Sequence, residues 1–479
     1  MDIDASYLPA EFTSDGRRQL VTEQAGVKVF APVLSATDID VICDALMEAR
    51  VRLLELPVAR IIDAMDSAVR RLRDRGGPHR AGALHAMTAV TGYSRAMADL
   101  VLDRMSEDWL APALHRLIRS EFGGPEALDG FMRRHDHALG RAVAPPLGLH
   151  VFAGNIPGVS ITSIIRGLLV RSAVLGKSAV GEPVLAPLFA RLLAQADPVV
   201  GACVAVTYWP GGDTDLEAAA LRRVRLVVHY GGDHALDSLR GRATADTRFV
   251  DHGPRISFAI ISARHGMPVA AAADTARAVA LFDQQGCVSP QIAYVIGDVE
   301  QATRFAESVA AELRVLQTSL PRGRIGPGEA AAVRDLRTRA EFRDISGEDV
   351  SLWGDEALAW TVIRDPDPTF TGTCLNRTLV VKHVAAFEDV LRFVRPFGRY
   401  LQTVGVAGFG EMKGFGEGTA PDRDAGWWIE RVAAELGEIG ATRVAPIRAM
   451  PWPPVDWQHD GRGPLRELTR WLDLELPDD

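Results

Sequence analysis

From residue 147 onward the chain alternates short apolar runs of strand length with helical stretches, and this rhythm constrains its fold more than any other feature. The runs at 147–154, 173–175, 204–208, 225–230 and 256–261 carry few charges, while 161–169, 185–195 and 216–223 between them place apolar residues at helical spacing. Strands joined by helices of this length pair in parallel, because each crossover returns the chain to its starting edge. A mostly parallel α/β sheet is therefore predicted. Such sheets hold their ligands at the carboxyl ends of the strands.

Upstream, residues 38–75 and roughly 93–119 alternate apolar and charged residues at helical spacing, predicting a helical N-terminal region with no chemistry of its own. Residues 465–474 predict an amphipathic helix. A chain of 479 residues exceeds what one core usually organises, so several domains are expected.

Composition narrows the function classes. A formal net charge of -9 argues against a nucleic-acid partner, whose binding rests on neutralised phosphates. No apolar stretch approaches the roughly 18 residues of a bilayer span, and Met1-Asp2-Ile3-Asp4 lacks a basic leader, so a cytoplasmic protein without a membrane span is expected. Cys43, Cys203, Cys287 and Cys374 lie far apart with no CxxC pair and no metal-ligand spacing. Reduced thiols and no metal centre follow.

Four places carry residues with chemical potential. Cys287 lies in Leu281-Phe282-Asp283-Gln284-Gln285-Gly286-Cys287-Val288-Ser289, between a helical pattern over 275–283 and a strand pattern over 290–296. It reads either as a small packed hydrophobe or as a nucleophile, with Gly286 leaving room for a substrate. Asn155, in Gly154-Asn155-Ile156-Pro157-Gly158, reads as a turn residue or as an amide aimed at a developing oxyanion. Lys177 and Ser178 follow a strand end, as surface residues or as partners for ribose and phosphate oxygens. Tyr230-Gly231-Gly232-Asp233 closes one strand and opens a helix, so the Gly231 and Gly232 amides can face a pyrophosphate. Neither GxGxxG nor GK[ST] is present, which disfavours phosphoryl transfer.

The order Asn155, Lys177, Gly231-Gly232, Cys287 resembles the aldehyde dehydrogenase superfamily, and within it the LuxC-type acyl-CoA reductases. Over roughly residues 80–475 the likeness is carried by Phe152-Ala153-Gly154-Asn155-Ile156-Pro157, Tyr230-Gly231-Gly232-Asp233, Asp283-Gln284-Gln285-Gly286-Cys287-Val288-Ser289-Pro290, Leu375-Asn376-Arg377-Thr378, Leu401-Gln402-Thr403-Val404-Gly405 and Trp457-Gln458-His459-Asp460-Gly461. The resemblance implies an aldehyde-dehydrogenase-like α/β fold. A helical region over 1–145 would pack on a Rossmann-type dinucleotide-binding domain over 146–256; a catalytic domain with the nucleophilic cysteine would follow over 257–440, and residues 441–479 would complete the fold.

In that family pattern Cys287 is the acyl-accepting nucleophile, the Asn155 side chain and the Cys287 backbone N–H form the oxyanion hole, and Lys177 faces the adenosine ribose. NAD-preferring relatives carry a glutamate three residues after this lysine; this chain has Val180, which favours NADPH with NADH as the alternative, and Glu182 is the nearby carboxylate that bears on the choice. The water-activating glutamate of aldehyde oxidisers falls near residues 249–254, where only Asp251 offers a carboxylate, as a base or as a turn residue before the strand at Ile256.

The implied activity is NADPH-dependent reduction of an acyl-CoA, or another acyl thioester, to the aldehyde through an acyl-Cys287 intermediate. Two alternatives stand beside it: an NAD(P)-dependent aldehyde dehydrogenase using Asp251, and a non-catalytic nucleotide-binding protein of the same fold. A homo-oligomer, and an acyl-donating partner enzyme, are implied by resemblance alone. No basic residue adjoins Cys287 in the sequence, so stabilisation of its thiolate is expected from backbone N–H groups or the nicotinamide ring. The pair His459-Asp460 reads as a turn or as a proton relay.

Overall fold

Strands buried on both faces need helices above and below them, which is the arrangement of a parallel sheet. In the computed structural model, which describes residues 1–13, 15–135, 138–264, 266–409 and 429–475, the apolar runs form two such sheets in two compact units. One unit comprises residues 1–254 with 454–479; the other comprises 255–453.

The first unit opens with β1 (Asp2–Asp4), β2 (Arg18–Gln24) and β3 (Val27–Pro32), a small sheet in the order β1-β3-β2. The N-terminal region is therefore not wholly helical, contrary to the pattern-based expectation. Short half-exposed strands give little periodic signal, and pairing with a neighbour decides their state. The helices α1 (Ala36–Leu53), α2 (Val58–Arg73), α3 (Pro78–Thr91), α4 (Arg95–Glu107) and α5 (Ala111–Phe122) follow, then one turn, α6 (Glu126–Asp129). The stretch read as one helix over 38–75 is two, because Pro57 cannot continue a helix and caps the next. Ser35 and Asp38 close a reciprocal capping box at the start of α1.

β4 (Met132–His135) and β5 (Ala138–Val143) form a three-stranded sheet with the last strand of the chain, Arg470–Glu475. This corrects the helix expected over 465–474: after a short turn at Arg466–Leu468 the backbone extends and pairs antiparallel with β5, Arg470 opposite Val143 and Glu475 opposite Ala138. A six-residue ladder satisfies the backbone that an isolated helix would otherwise satisfy alone.

The main sheet of this unit has the order β10-β9-β6-β7-β8, built from β6 (Leu147–Val151), β7 (Ala173–Lys177), β8 (Val204–Thr207), β9 (Leu226–Tyr230) and β10 (Arg248–His252), all parallel. Its helices are α7 (Val159–Leu169), α8 (Leu185–Ala196), the single turn α9 (Pro198–Gly201), α10 (Thr214–Arg223) and α11 (Asp233–Arg240). The strand order reverses direction between β6 and β9, which is where open α/β sheets form a ligand crevice.

The second unit contains β11 (Ile256–Ser262), α12 (Ala271–Ala280), β12 (Pro290–Ile296), α13 (Val299–Ser319), α14 (Pro327–Ile345), β13 (Ser351–Gly354), β14 (Thr361–Asp365), β15 (Thr378–Val384), α15 (Phe387–Val394), β16 (Leu401–Ala407), α16 (Ile429–Glu438) and β17 (Arg443–Pro446). Its sheet runs β13-β14-β15-β12-β11-β16-β17, parallel except for β13. Phe258, Tyr294 and Phe370 meet edge to face in its core.

Candidate active site

Cys287 sits, half-buried, on the turn between α12 and β12. The helix expected over 275–283 stops at Ala280, and Phe282, Asp283 and Gln284 take left-handed backbone angles with φ of 56°, 49° and 65°. Three such non-glycine residues in a row are costly, on the order of 1 kcal/mol each, so something must hold them. A second left-handed run, Leu375, Asn376 and Arg377, does so.

The two runs interlock. The Gln284 amide donates to the carbonyls of Pro290 and Thr378, both at 2.8 Å, and accepts from the Thr378 amide at 2.7 Å. Gln285 donates to the Asn376 side chain at 3.3 Å. Arg377, fully buried, donates to Asp283 at 2.8 Å and to the Leu320 carbonyl at 3.0 Å, while the Gly323 amide donates to Asp283 at 3.0 Å. The motifs Asp283-Gln284-Gln285-Gly286 and Leu375-Asn376-Arg377-Thr378 are thus two halves of one clamp behind the cysteine.

The front of the turn is fixed from the sheet. β11 shifts register against both β12 and β16 beside Ser257, and at this irregularity the Ser257 hydroxyl donates to the Cys287 carbonyl at 2.6 Å. Thr403, from the Leu401-Gln402-Thr403-Val404-Gly405 motif, donates its amide to the same hydroxyl at 3.1 Å. An irregularity of this kind in a strand re-aims a side chain.

A cation near the sulfur was missed in the sequence. Arg443 opens β17, donates to the carbonyls of Ala449 and Met450 at 2.7 and 2.9 Å, and interacts electrostatically with Cys287. Burial pushes its guanidinium down to about 10 and Cys287 opposes the shift, so it remains charged at neutral pH. Nothing in the local sequence around Cys287 signals a partner on a strand at the far edge of the sheet.

The other predicted residues lie in the first unit, along the carboxyl edge of its parallel sheet. Asn155 follows β6; its carbonyl accepts from Tyr93 Oη at 3.1 Å. Gly154 beside it approaches Gly181 so closely that a Cβ on Gly181 would lie 2.3 Å from the Gly154 oxygen, which pins the Asn155 loop to the one after β7. Lys177 ends β7 with its ammonium 5.6 Å from the Trp209 ring centre; burial lowers its pKa, while Glu217 and Asp213 pull the other way. Ser178 donates its amide to the Thr207 carbonyl at 2.8 Å. Gly231 and Gly232 join β9 to α11, with Gly232 as the N-cap and open space where its side chain would stand.

Asp251 is neither a turn nor a cap: it lies within β10, with Arg240 at 3.3 Å and Arg462 at 3.6 Å from its carboxylate. Glu182 is withdrawn from the surface. Its carboxylate accepts from the amides of Val184 and Leu185 at 3.0 and 2.8 Å and from Ser160 at 3.3 Å, which caps the start of α8. Burial nevertheless pushes its pKa up. Val180 is exposed.

The buried hydroxyls of Ser178 and Thr207 and the indole N–H of Trp209 have no hydrogen-bond partner among the described residues. Three unsatisfied polar groups around Lys177 at strand ends fit the ribose and phosphate oxygens of a nucleotide, since such atoms are rarely left unpaired. Among the described residues no helix is long and apolar enough to cross a membrane.

A family model described as acyl-CoA reductase (LuxC) matches residues 53–471. The long-chain acyl-protein thioester reductase of Aliivibrio fischeri is 25% identical over 433 residues, covering 88% of this chain and 84% of its own. Among solved structures, lactaldehyde dehydrogenase from Escherichia coli superposes with a TM-score of 0.75 at 13% identity, covering 99% of both chains. The NADP-dependent glyceraldehyde-3-phosphate dehydrogenase from Bacillus halodurans C-125, complexed with NADP, gives 0.71 at 14% identity, covering 99% of this chain and 100% of its own. The fold is that of aldehyde dehydrogenases.

Proposed function

We propose, from the premise that this chain belongs to the acyl-CoA reductase (LuxC) family, that it reduces an acyl thioester to the aldehyde through an acyl group carried on Cys287. The observation that carries the reading is the Cys287 turn, clamped from behind by Asp283, Gln284 and Arg377, tied to Ser257 in front and accompanied by Arg443. An ordinary packed cysteine needs none of these. The thioester-reductase name of the Aliivibrio fischeri relative supports the substrate class; acyl-CoA is the form we favour.

The chemistry assigned to the chain's own groups is as follows. Free cysteine, with a pKa near roughly 8.5, is only a few per cent thiolate at neutral pH, and Arg443 favours the anion. The thiolate adds to the thioester carbonyl, and the developing oxyanion is held by the Asn155 amide and the Cys287 N–H. The carrier thiolate leaves and takes up a proton, so one C–S bond replaces another. A nicotinamide cofactor, when bound, supplies the hydride that takes the acyl carbon to the aldehyde level. Collapse of the resulting thiohemiacetal releases the aldehyde and returns the Cys287 thiolate.

Lys177, Ser178, Gly231 and Gly232 are the residues we assign to that cofactor. NADPH is favoured over NADH, because Val180 offers no charge against a 2′-phosphate and Glu182 is committed to α8. Asp251 is read as a structural anion between two arginines rather than a base, which suits an acyl-enzyme that must outlast water. The strand Arg470–Glu475, with Trp471, Leu472 and Leu474 partly exposed at its surface, supports a homo-oligomer. An acyl-donating partner enzyme is compatible with the relatives' acyl-protein substrate.

Intact-protein mass spectrometry after incubation with a long-chain acyl-CoA tests the reading. A single acyl adduct that disappears in Cys287→Ala, together with loss of acyl-CoA-dependent NADPH oxidation, is expected. Full reductase turnover in Cys287→Ala would overturn it.

A further inference from the structure

Four rings stand face to face at the carboxyl ends of β9 and β10. Tyr230 stacks on His252 with centroids 4.6 Å apart, His252 on His459 at 4.2 Å, and His459 on Trp457 at 4.7 Å, all within 24° of parallel. Asp460, held in a left-handed turn with φ of 55°, accepts from His252 Nδ1 at 3.2 Å and lies 3.8 Å from His459 Nε2. Two imidazoles stand between aromatic faces and are edged by a carboxylate; the ring faces and the anion favour an imidazolium, while burial opposes it at His252.

His252, His459 and Asp460 also have donor atoms within 4.8 Å of one another, as a metal would require. The stacking opposes that use. A metal lies in the plane of each imidazole it binds, and two planes tilted by 15° at 4.2 Å separation do not share a point near their nitrogens.

Beside the stack lies a small cleft, partly open to solvent, bounded by β6, β9 and β10, by α7 and by the segment after Trp457. Arg166, from α7, lines it half-buried and makes no hydrogen bond or ion pair among the described residues. His150, with no exposed surface, lines it as well; its Nδ1 meets Ser163 at 2.8 Å and its Nε2 has no hydrogen-bond partner among the described residues. The anions nearby are already engaged: Asp251 by Arg240 and Arg462, Glu467 by Arg248 at 3.8 Å, and Asp460 by His252. Arg166 thus has no hydrogen-bonded or ion-paired anion among the described residues, although its charge reaches Asp108, whose carboxyl burial pushes up to about 6.

We propose that this cavity is a second ligand site, for an oxyanion of the phosphate class, with Arg166 as the permanent cation and the stacked His252–His459 pair as a second, proton-dependent one. A guanidinium presents paired N–H groups that match tetrahedral oxyanions, and the cavity stands where parallel sheets take their ligands. Burial lowers the His252 pKa, with Asp460 and Asp251 opposing and Arg166 adding to the fall; His229 on β9 is lowered likewise and His150 is pushed down to about 3. An anion in the cavity reverses the Arg166 contribution. Binding therefore tightens as pH falls toward the lowered His252 value, and bound anion raises the His252 pKa. The occupant is either free phosphate or the phosphate of a phosphorylated thioester carrier such as coenzyme A; only the second source rests on the thioester-reductase reading.

Titration of the intact protein with inorganic phosphate, followed by calorimetry and by the histidine ring resonances, tests the site. Saturable binding about tenfold or more tighter at pH 6 than at pH 8 is expected, with a matching loss in Arg166→Gln and retention in Arg166→Lys. Replacing both imidazoles, His252→Phe with His459→Phe, keeps aromatic rings in the stack and should abolish the pH dependence while leaving the binding seen at pH 8. Coenzyme A displacing phosphate identifies the carrier as the source; no displacement identifies the free ion. Absence of saturable binding at pH 6, equal affinity in a folded Arg166→Gln, or displacement of phosphate by NADPH, which would merge the cavity with the nucleotide site, overturns the proposal.

Discussion

Replacing Arg377 by methionine isolates the clamp behind Cys287. The side chain is fully buried and makes an ion pair with Asp283 at 2.7 Å, a hydrogen bond to the same carboxylate at 2.8 Å, and one to the Leu320 carbonyl at 3.0 Å. Methionine keeps most of the volume but leaves the buried carboxylate with the Gly323 amide and the more distant charge of Arg322. Breaking a buried pair on one side costs about 3–5 kcal/mol, a large part of the roughly 5–15 kcal/mol that holds a domain together.

A pH signature follows. Burial raises the Asp283 pKa, and Arg377 and the Gly323 amide pull it back. Without Arg377 it rises further, and a carboxyl with a raised folded pKa binds its proton more tightly folded than unfolded. Its protonation therefore favours folding at low pH, and that benefit is lost as pH rises through the folded value. The deficit of Arg377→Met relative to the parent should shrink from pH 8 to pH 5, by up to about 1.4 kcal/mol per unit below the new pKa. Asp283→Asn combined with Arg377→Met should recover part of the loss at pH 8. Urea unfolding at both pH values, with reductase activity alongside, supplies the data. A deficit under about 1 kcal/mol, one independent of pH, or a double variant no better than the single would refute the reasoning.

Two further outcomes are expected. Arg443→Gln should raise the pH midpoint of Cys287 alkylation by iodoacetamide by about one unit or more, with Arg443→Lys restoring it in part; an unmoved midpoint would remove Arg443 from the site. Val180→Glu should shift the ratio of NADPH to NADH efficiency toward NADH by about tenfold or more, through repulsion of the 2′-phosphate. An unchanged ratio would place the ribose elsewhere.

The parallel sheet was legible because its strands are buried on both faces, which leaves continuous apolar runs at Leu147–Val151 or Leu226–Tyr230 that no charge interrupts. Residues 465–474 misled because leucines at 465, 468, 472 and 474 suit either period, and the choice was made by β5, far earlier in the chain. Cys287 stood out through its motif, yet its supports did not. Arg443 is brought to it by a strand crossing, and Ser257 by a local register shift, neither of which leaves a mark in the linear sequence. The His252–Asp460 pair joins residues 208 positions apart, so His459-Asp460 could only be read as a turn or a relay with no partner named.

The strand Arg470–Glu475 has a consequence for how the protein is made. It supplies the neighbour of β5, and Glu121 at the end of α5 receives the amides of Leu465 and Arg466 at 3.1 and 3.0 Å. On a ribosome the first 254 residues emerge and then wait while residues 255–453 are synthesised, about 10–40 s at ordinary bacterial and eukaryotic elongation rates. Through that interval β5 presents an unpaired edge, which the closing strand of a neighbouring nascent chain fits as well as its own. Dense polysomes and C-terminal truncation should therefore produce the same failure, a first unit that is nearly finished and sticky along one strand.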